Sequence, residues 1–166
     1  PFAGIYSEID ELTIKLEGTS GNRVSVDNSA TVSQDYAFAI QSTGKVKFAG
    51  SGQIFVEIPQ VNFASVGGAN VGMTAEEGIT IGESAIVCVN TEADNPGENV
   101  GYVIGIIANE PCVVGENSQL VLTTCADEQY REGKNFLASM TRGFEVKDNA
   151  DVSASSDFIG IQSDVN

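Results

Sequence analysis

A chain of 166 residues, 42% of them hydrophobic, is the length of one domain and can bury a core without metals or many disulfides. Its formal charge of −15, from 23 acids against 8 bases, repels phosphate backbones and anionic lipid, since binding either relies on Lys and Arg; the expectation is therefore no nucleic acid and no membrane. With no histidine anywhere, Ser-His-Asp and Cys-His catalysis and histidine-bearing metal sites are closed.

Residues 1–11 read as an N-terminal arm ahead of a single β-rich domain, 12–166. The arm sets the apolar side chains Phe2, Ile5, Tyr6 and Ile9 in a terminal position, where order requires a docking surface. Either it folds back on its own domain or it lies on a partner. Pro1 fits removal of an initiator Met, so manufacture in the cytoplasm is expected; no basic, apolar and small-residue leader is visible, and no run reaches the roughly 18 apolar residues of a membrane helix.

Strand-like alternation begins at Leu12, Ile14 and Leu16, interleaved with polar residues. Turn residues Gly18–Asn22 and a short strand from Arg23 to Val26 follow. Tyr36, Phe38 and Ile40 share what reads as the core face, with Ala37 and Ala39 opposite. After Ser42-Thr43-Gly44 the run resumes from Lys45 to Phe48, so the pair reads as a β-hairpin with outward lysines. Gln53 to Ile58 alternates again, and Pro59 is expected to end that strand. The glycine-rich stretch from Val66 to Thr80 shows little periodicity and reads as a long loop or crossover.

Further along, Ile81-Gly82-Glu83-Ser84 and Val114-Gly115-Glu116-Asn117 are similar turns opening apolar runs, and Gly97-Glu98-Asn99 precedes another. The match is short and reads as reuse of one turn type rather than a repeat architecture. Glu92 to Asn99 offers oxygen ligands for calcium but not in the EF-hand order, and Asn, Pro and Gly explain the segment as a solvated turn. A Thr cap at Thr124 and Gly133 as terminator predict one short helix. Phe144 and Val146, then Phe158, Ile159 and Ile161, read as closing strands around an exposed polar loop, Asp148 to Asp157, with the last strand pairing antiparallel to the first. Regular strands at this spacing predict an all-β fold, an antiparallel β-sandwich or barrel.

Cys88, Cys112 and Cys125 make an odd set without CxxC spacing, expected to be free thiols, with one disulfide still open. Catalysis would have to rest on carboxylate pairs, which 23 acids offer everywhere without singling any out. No enzyme activity, cofactor or metal is expected.

An acidic, strand-dense domain with an apolar arm and no catalytic set resembles, in general character over residues 12–124, the decoration or cement proteins of bacteriophage capsids. The resemblance implies a structural protein on the virion surface, made in the host cytoplasm. It would clamp the major capsid protein, commonly as a homo-oligomer such as a trimer, with Phe2, Ile5, Tyr6 and Ile9 anchoring the arm. The alternative is a secreted or surface-displayed, extracellular β-sandwich binding module, pilin-like or carbohydrate-binding, for which exposed aromatic residues in a groove would be the sign.

Overall fold

Each segment of alternating apolar residues forms a strand, but almost every strand pairs with its counterpart one full coil away rather than with its neighbour in the chain. The computed structural model describes residues 2–18, 21–91, 95–157 and 159–163. A first coil runs through β1 (Phe2–Ser7), β2 (Glu11–Lys15) and β3 (Asn22–Val32). A second comprises β4 (Tyr36–Ser42), β5 (Lys45–Ala49) and β6 (Gln53–Phe63), and a third β7 (Gly68–Ala75), β8 (Ile79–Ile81) and β9 (Ile86–Asn90). The fourth holds β10 (Val100–Ala108), β11 (Cys112–Val114) and β12 (Gln119–Thr124). The fifth holds β13 (Asn135–Thr141), β14 (Phe144–Val146) and β15 (Asp151–Ser156), and β16 (Ile159–Ser163) begins another.

Stacking these coils gives three sheets: A, in the order β1-β4-β7-β10-β13-β16; B, β2-β5-β8-β11-β14; and C, β3-β6-β9-β12-β15. Every pairing is parallel. The chain is thus a β-solenoid, a three-sided prism, and the antiparallel sandwich or barrel is corrected. Period-two alternation identifies a half-buried strand but says nothing about which strand lies beside it.

The interior is built of ladders. Val56, Val89 and Leu122 stand on one another in sheet C, and Phe48, Ile81 and Val114 in sheet B. All six are buried. Burying each large side chain contributes about 1.5–3 kcal/mol, and repetition of the ladders sets the register of the next coil. Corners repeat as well. Ala85, Ser118 and Ala150 donate their N–H groups to the carbonyls of Gly82, Gly115 and Lys147. The third residue of each turn, Ser84, Asn117 or Asn149, has φ between 54° and 61°, a left-handed conformation that asparagine tolerates well. The similar tetrapeptides at 81–84 and 114–117 are this one corner in two successive coils.

Several local expectations change accordingly. β4 and β5 do not form a hairpin: they belong to different sheets and meet only at the Ser42-Thr43-Gly44 corner. β16 pairs in parallel with β13, not with the first strand. β6 continues past Pro59, because its pairing with β3 shifts register between Ser25 and Asp27 and makes room for a residue without an N–H. The supposed loop 66–80 contains β7 and β8, and the polar stretch 148–157 contains β15, whose Val152 and Ala154 pack on the core between outward serines. The predicted helix is a single 3-10 turn, Glu128–Tyr130.

Sheet A explains why β7 escaped a period-two reading. Ala39 and Ile40 are both fully buried in the central core. A Cβ on Gly72, one coil on from Ala39, would run into Val89 of sheet C and lie 2.7 Å from the Gly105 carbonyl. The next residue, Met73, is also in the central core. Two successive residues thus face inward at this rung of each coil, and the alternation slips by one there.

Candidate functional site

The three sheets have similar interiors and different exteriors. None of the six strands of sheet A contains Asp, Glu, Lys or Arg, although 19% of the chain is charged. Sheet B, with shorter strands, carries Glu11, Lys15, Lys45, Lys47 and Glu145. A shallow groove of about 280 Å³ lies over Glu11, Lys45, Lys47 and Thr80 on that side.

The outer face of sheet A is built around a second, smaller apolar cluster: Ala69, Val71, Ile104 and Leu137, with Phe38 and Ile107 packed on it. Phe38, Val71, Ile104 and Leu137 form one ladder. The last three are only 0%, 5% and 8% exposed. What the face shows to solvent is chiefly tyrosine, with Met140 37% exposed towards the ends of the strands. Tyr36, Ala69 and Tyr102 are consecutive rungs of the adjacent ladder, and the two tyrosines are 52% and 45% exposed. The Tyr36 ring stacks on Phe38, with centroids 5.9 Å apart and planes within 10°, a contact that restricts the ring's freedom before any ligand arrives. Asp35 and Glu98 border the face where its strands begin, and Glu8, Glu76 and Glu110 where they end, all exposed.

The face assignment of β4 is inverted over residues 36–39, while Ile40 lies in the core as expected. Ala37 and Ala39 point into the core and Tyr36 points out, because the double inward step at Ala39-Ile40 shifts the alternation by one residue ahead of Ile40. The arm residues are divided. Residues 2–7 form β1, paired with β4 at the edge of sheet A, and Phe2 and Ile5 pack partly buried against the core. Tyr6 and Ile9 remain 43% and 59% exposed. Tyr6 donates its hydroxyl to Glu8 Oε1 at 2.5 Å, and this bond to a carboxylate pushes its pKa up.

Among the described residues every Asp and Glu is exposed except Glu57 and Asp157. Glu57 pairs with Arg23 at 2.5 Å and Asp157 with Arg131 at 3.0 Å. Asp157 also accepts the Ala126 N–H, and Arg131 donates to the Ala126 carbonyl, so this pair ties down the β12–β13 connection. No group of three potential metal-ligating side chains occurs among the described residues. Of the calcium candidate 92–99, residues 92–94 lie outside the described residues; Asn95 Oδ1 accepts the Gly97 N–H, as a turn requires. None of the three cysteines forms a disulfide: Cys88 and Cys125 are half-buried, and Cys112 is buried on the inner side of sheet B. Burial pushes the Cys112 thiol up to about 12. No described helix is long and apolar enough to cross a membrane.

No protein-family model, curated protein or solved structure matches the chain. The site therefore has to be argued from its own residues. The tyrosine pair is the feature that reading strand by strand missed; Tyr36 and Tyr102 stand two coils apart in the chain, and only a solenoid reading of the period brings them together.

Proposed function

We propose that the chain is a structural binding protein without bond-making chemistry, docking onto a larger assembly through the outer face of sheet A. The observation that carries this is the absence of charge from all six strands of that sheet in a chain of net charge −15. A solvated face has no reason to exclude Lys and Glu, whereas a face that must shed water against a partner does. The exposure of every described carboxylate but two arginine-paired ones supports a role without acid catalysis, which needs a carboxyl group with a raised pKa.

Two assemblies fit this reading: a viral capsid, with the major capsid protein as partner, and the exterior of a cell, where the chain would act as a displayed binding module. Tyr36 and Tyr102, exposed and in line, favour the second. Deleting residues 1–11 is no clean test of either, because it removes a strand of the same sheet. The test is fractionation of the protein from its native source. Wild-type protein should sediment with large particles, and Tyr36→Glu/Tyr102→Glu should leave them while keeping its melting temperature. Lys45→Glu/Lys47→Glu on sheet B should sediment as wild type. Equal sedimentation of all three would overturn the reading.

A further inference from the structure

Resting on that reading, we infer that the occupant of sheet A is a linear, uncharged polysaccharide lying along the prism axis, with sugar rings against Tyr36 and Tyr102.

What the face leaves available decides against another protein. Its aliphatic ladder is already covered, Val71, Ile104 and Leu137 being at most 8% exposed, so a partner gains little by burying it. The exposed groups are instead mainly the tyrosine rings, with Thr74 and Gln41 half-exposed one ladder over from Val71 and Phe38, on a ladder that continues through Ile107 to the 37% exposed Met140. Rings beside hydroxyl and amide groups suit a ligand that is apolar on its ring faces and hydroxylated at its edges.

Spacing argues the same way. Tyr36 and Tyr102 are two rungs apart with Ala69 between them, and at about 4.8 Å per rung the rings lie roughly 10 Å apart. An extended pyranose chain advances by about one strand spacing per sugar, so alternate sugars meet a tyrosine and the intervening one passes over Ala69, where there is no bulk to obstruct it. Tyr36 is held by Phe38 on one side and offers its opposite side to the ligand.

Charge removes the other occupants. Acids outnumber bases on both borders, Asp35 and Glu98 against Lys134 on one, and Glu8, Glu76 and Glu110 against the Glu110-paired Arg142 on the other, so a second copy in a face-to-face dimer would set net like charge against like. The same rim repels anionic polymers such as uronates. A neutral glycan incurs neither cost.

The experiment is depletion binding to insoluble neutral glycans (β-1,4-glucan, chitin and mannan) beside immobilised polygalacturonate, at ordinary salt, with the full chain. Wild type should bind at least one neutral glycan and not polygalacturonate. Tyr36→Ala and Tyr102→Ala should each weaken that binding at least tenfold with unchanged melting temperatures, and Ala69→Phe, which raises the middle rung, should weaken it too. Lys47→Ala should bind as wild type. Neutral-glycan binding indifferent to both tyrosines, or equal retention on polygalacturonate, overturns the inference. Absence of all glycan binding together with loss of particle sedimentation on Tyr36→Glu/Tyr102→Glu overturns the glycan and leaves the docking face, its partner then being a protein. Absence of both effects overturns the two together.

Discussion

Sheets A and B are sides of one prism with interiors of the same kind, ladders of buried aliphatic and aromatic residues repeating every coil, yet one carries no charge on any strand and the other carries lysine or glutamate on three of its five. The interior is dictated by packing density and leaves little choice. The exterior is not, so a bias that persists over six successive strands reports something other than folding. Sheet B shows what an unconstrained exterior looks like: Thr13, Lys47, Thr80, Val113 and Glu145 follow one another up a single ladder.

The contrast breaks most sharply under a single carboxylate. Ile104→Asp should cost at least about 4 kcal/mol in chemical denaturation, because the charge would enter a site only 5% exposed between Val71 and Leu137 with no cation near. If that variant is as stable as wild type, the sheet A ladder is not the covered cluster described above.

A second expectation concerns the inner side of sheet B, which should be as dry as that of sheet A. The folded-state pKa of Cys112, about 12, lies above its ordinary value of 9.0. A raised acid pKa contributes stability that is whole below pH 9 and is lost as pH rises towards 12, where unfolding releases the proton. Relative to Cys112→Val, wild type should lose stability over that window, by up to about 4 kcal/mol at its upper end. Parallel urea titrations at pH 8 and 11 check this, and identical pH dependence in the two proteins would mean that water reaches the thiol. The smallest effect belongs to Thr80→Asp on the exterior of sheet B. Its ladder neighbours are Lys47 and Val113, so stability should stay within about 0.5 kcal/mol of wild type.

Strand positions in β2 and β5 were legible because Leu12/Ile14 and Val46/Phe48 alternate cleanly with polar residues, and β12 because the apolar run Leu120-Val121-Leu122 follows a turn. Their pairing was not. The tetrapeptides at 81–84 and 114–117 carried the coil length, but Gly97-Glu98-Asn99 belongs to a different corner, leading from sheet C into β10, and including it blurred the period. β7 was hidden by Gly68 and Gly72, which give way to Phe63 and Val89 across the interior, and by the double inward step at Gly72-Met73. The candidate site was illegible for a related reason. Whether Tyr36 or Ala37 faces the core depends on the double inward step at Ala39-Ile40, which a strict two-residue period read along one strand does not contain.

The regular coils from β4 to β13 also make that stretch a ruler with fixed graduations. Successive rungs of sheet A, from Tyr36 to Ala69 to Tyr102 to Asn135, fall at equal intervals along the sequence, so its reach lengthens or shortens only when a whole coil is gained or lost. Extra residues inserted at a corner bulge outward and leave every graduation where it was. Evolution by duplication of such a unit would thus change the length of the uncharged face in steps, without redesigning its rungs.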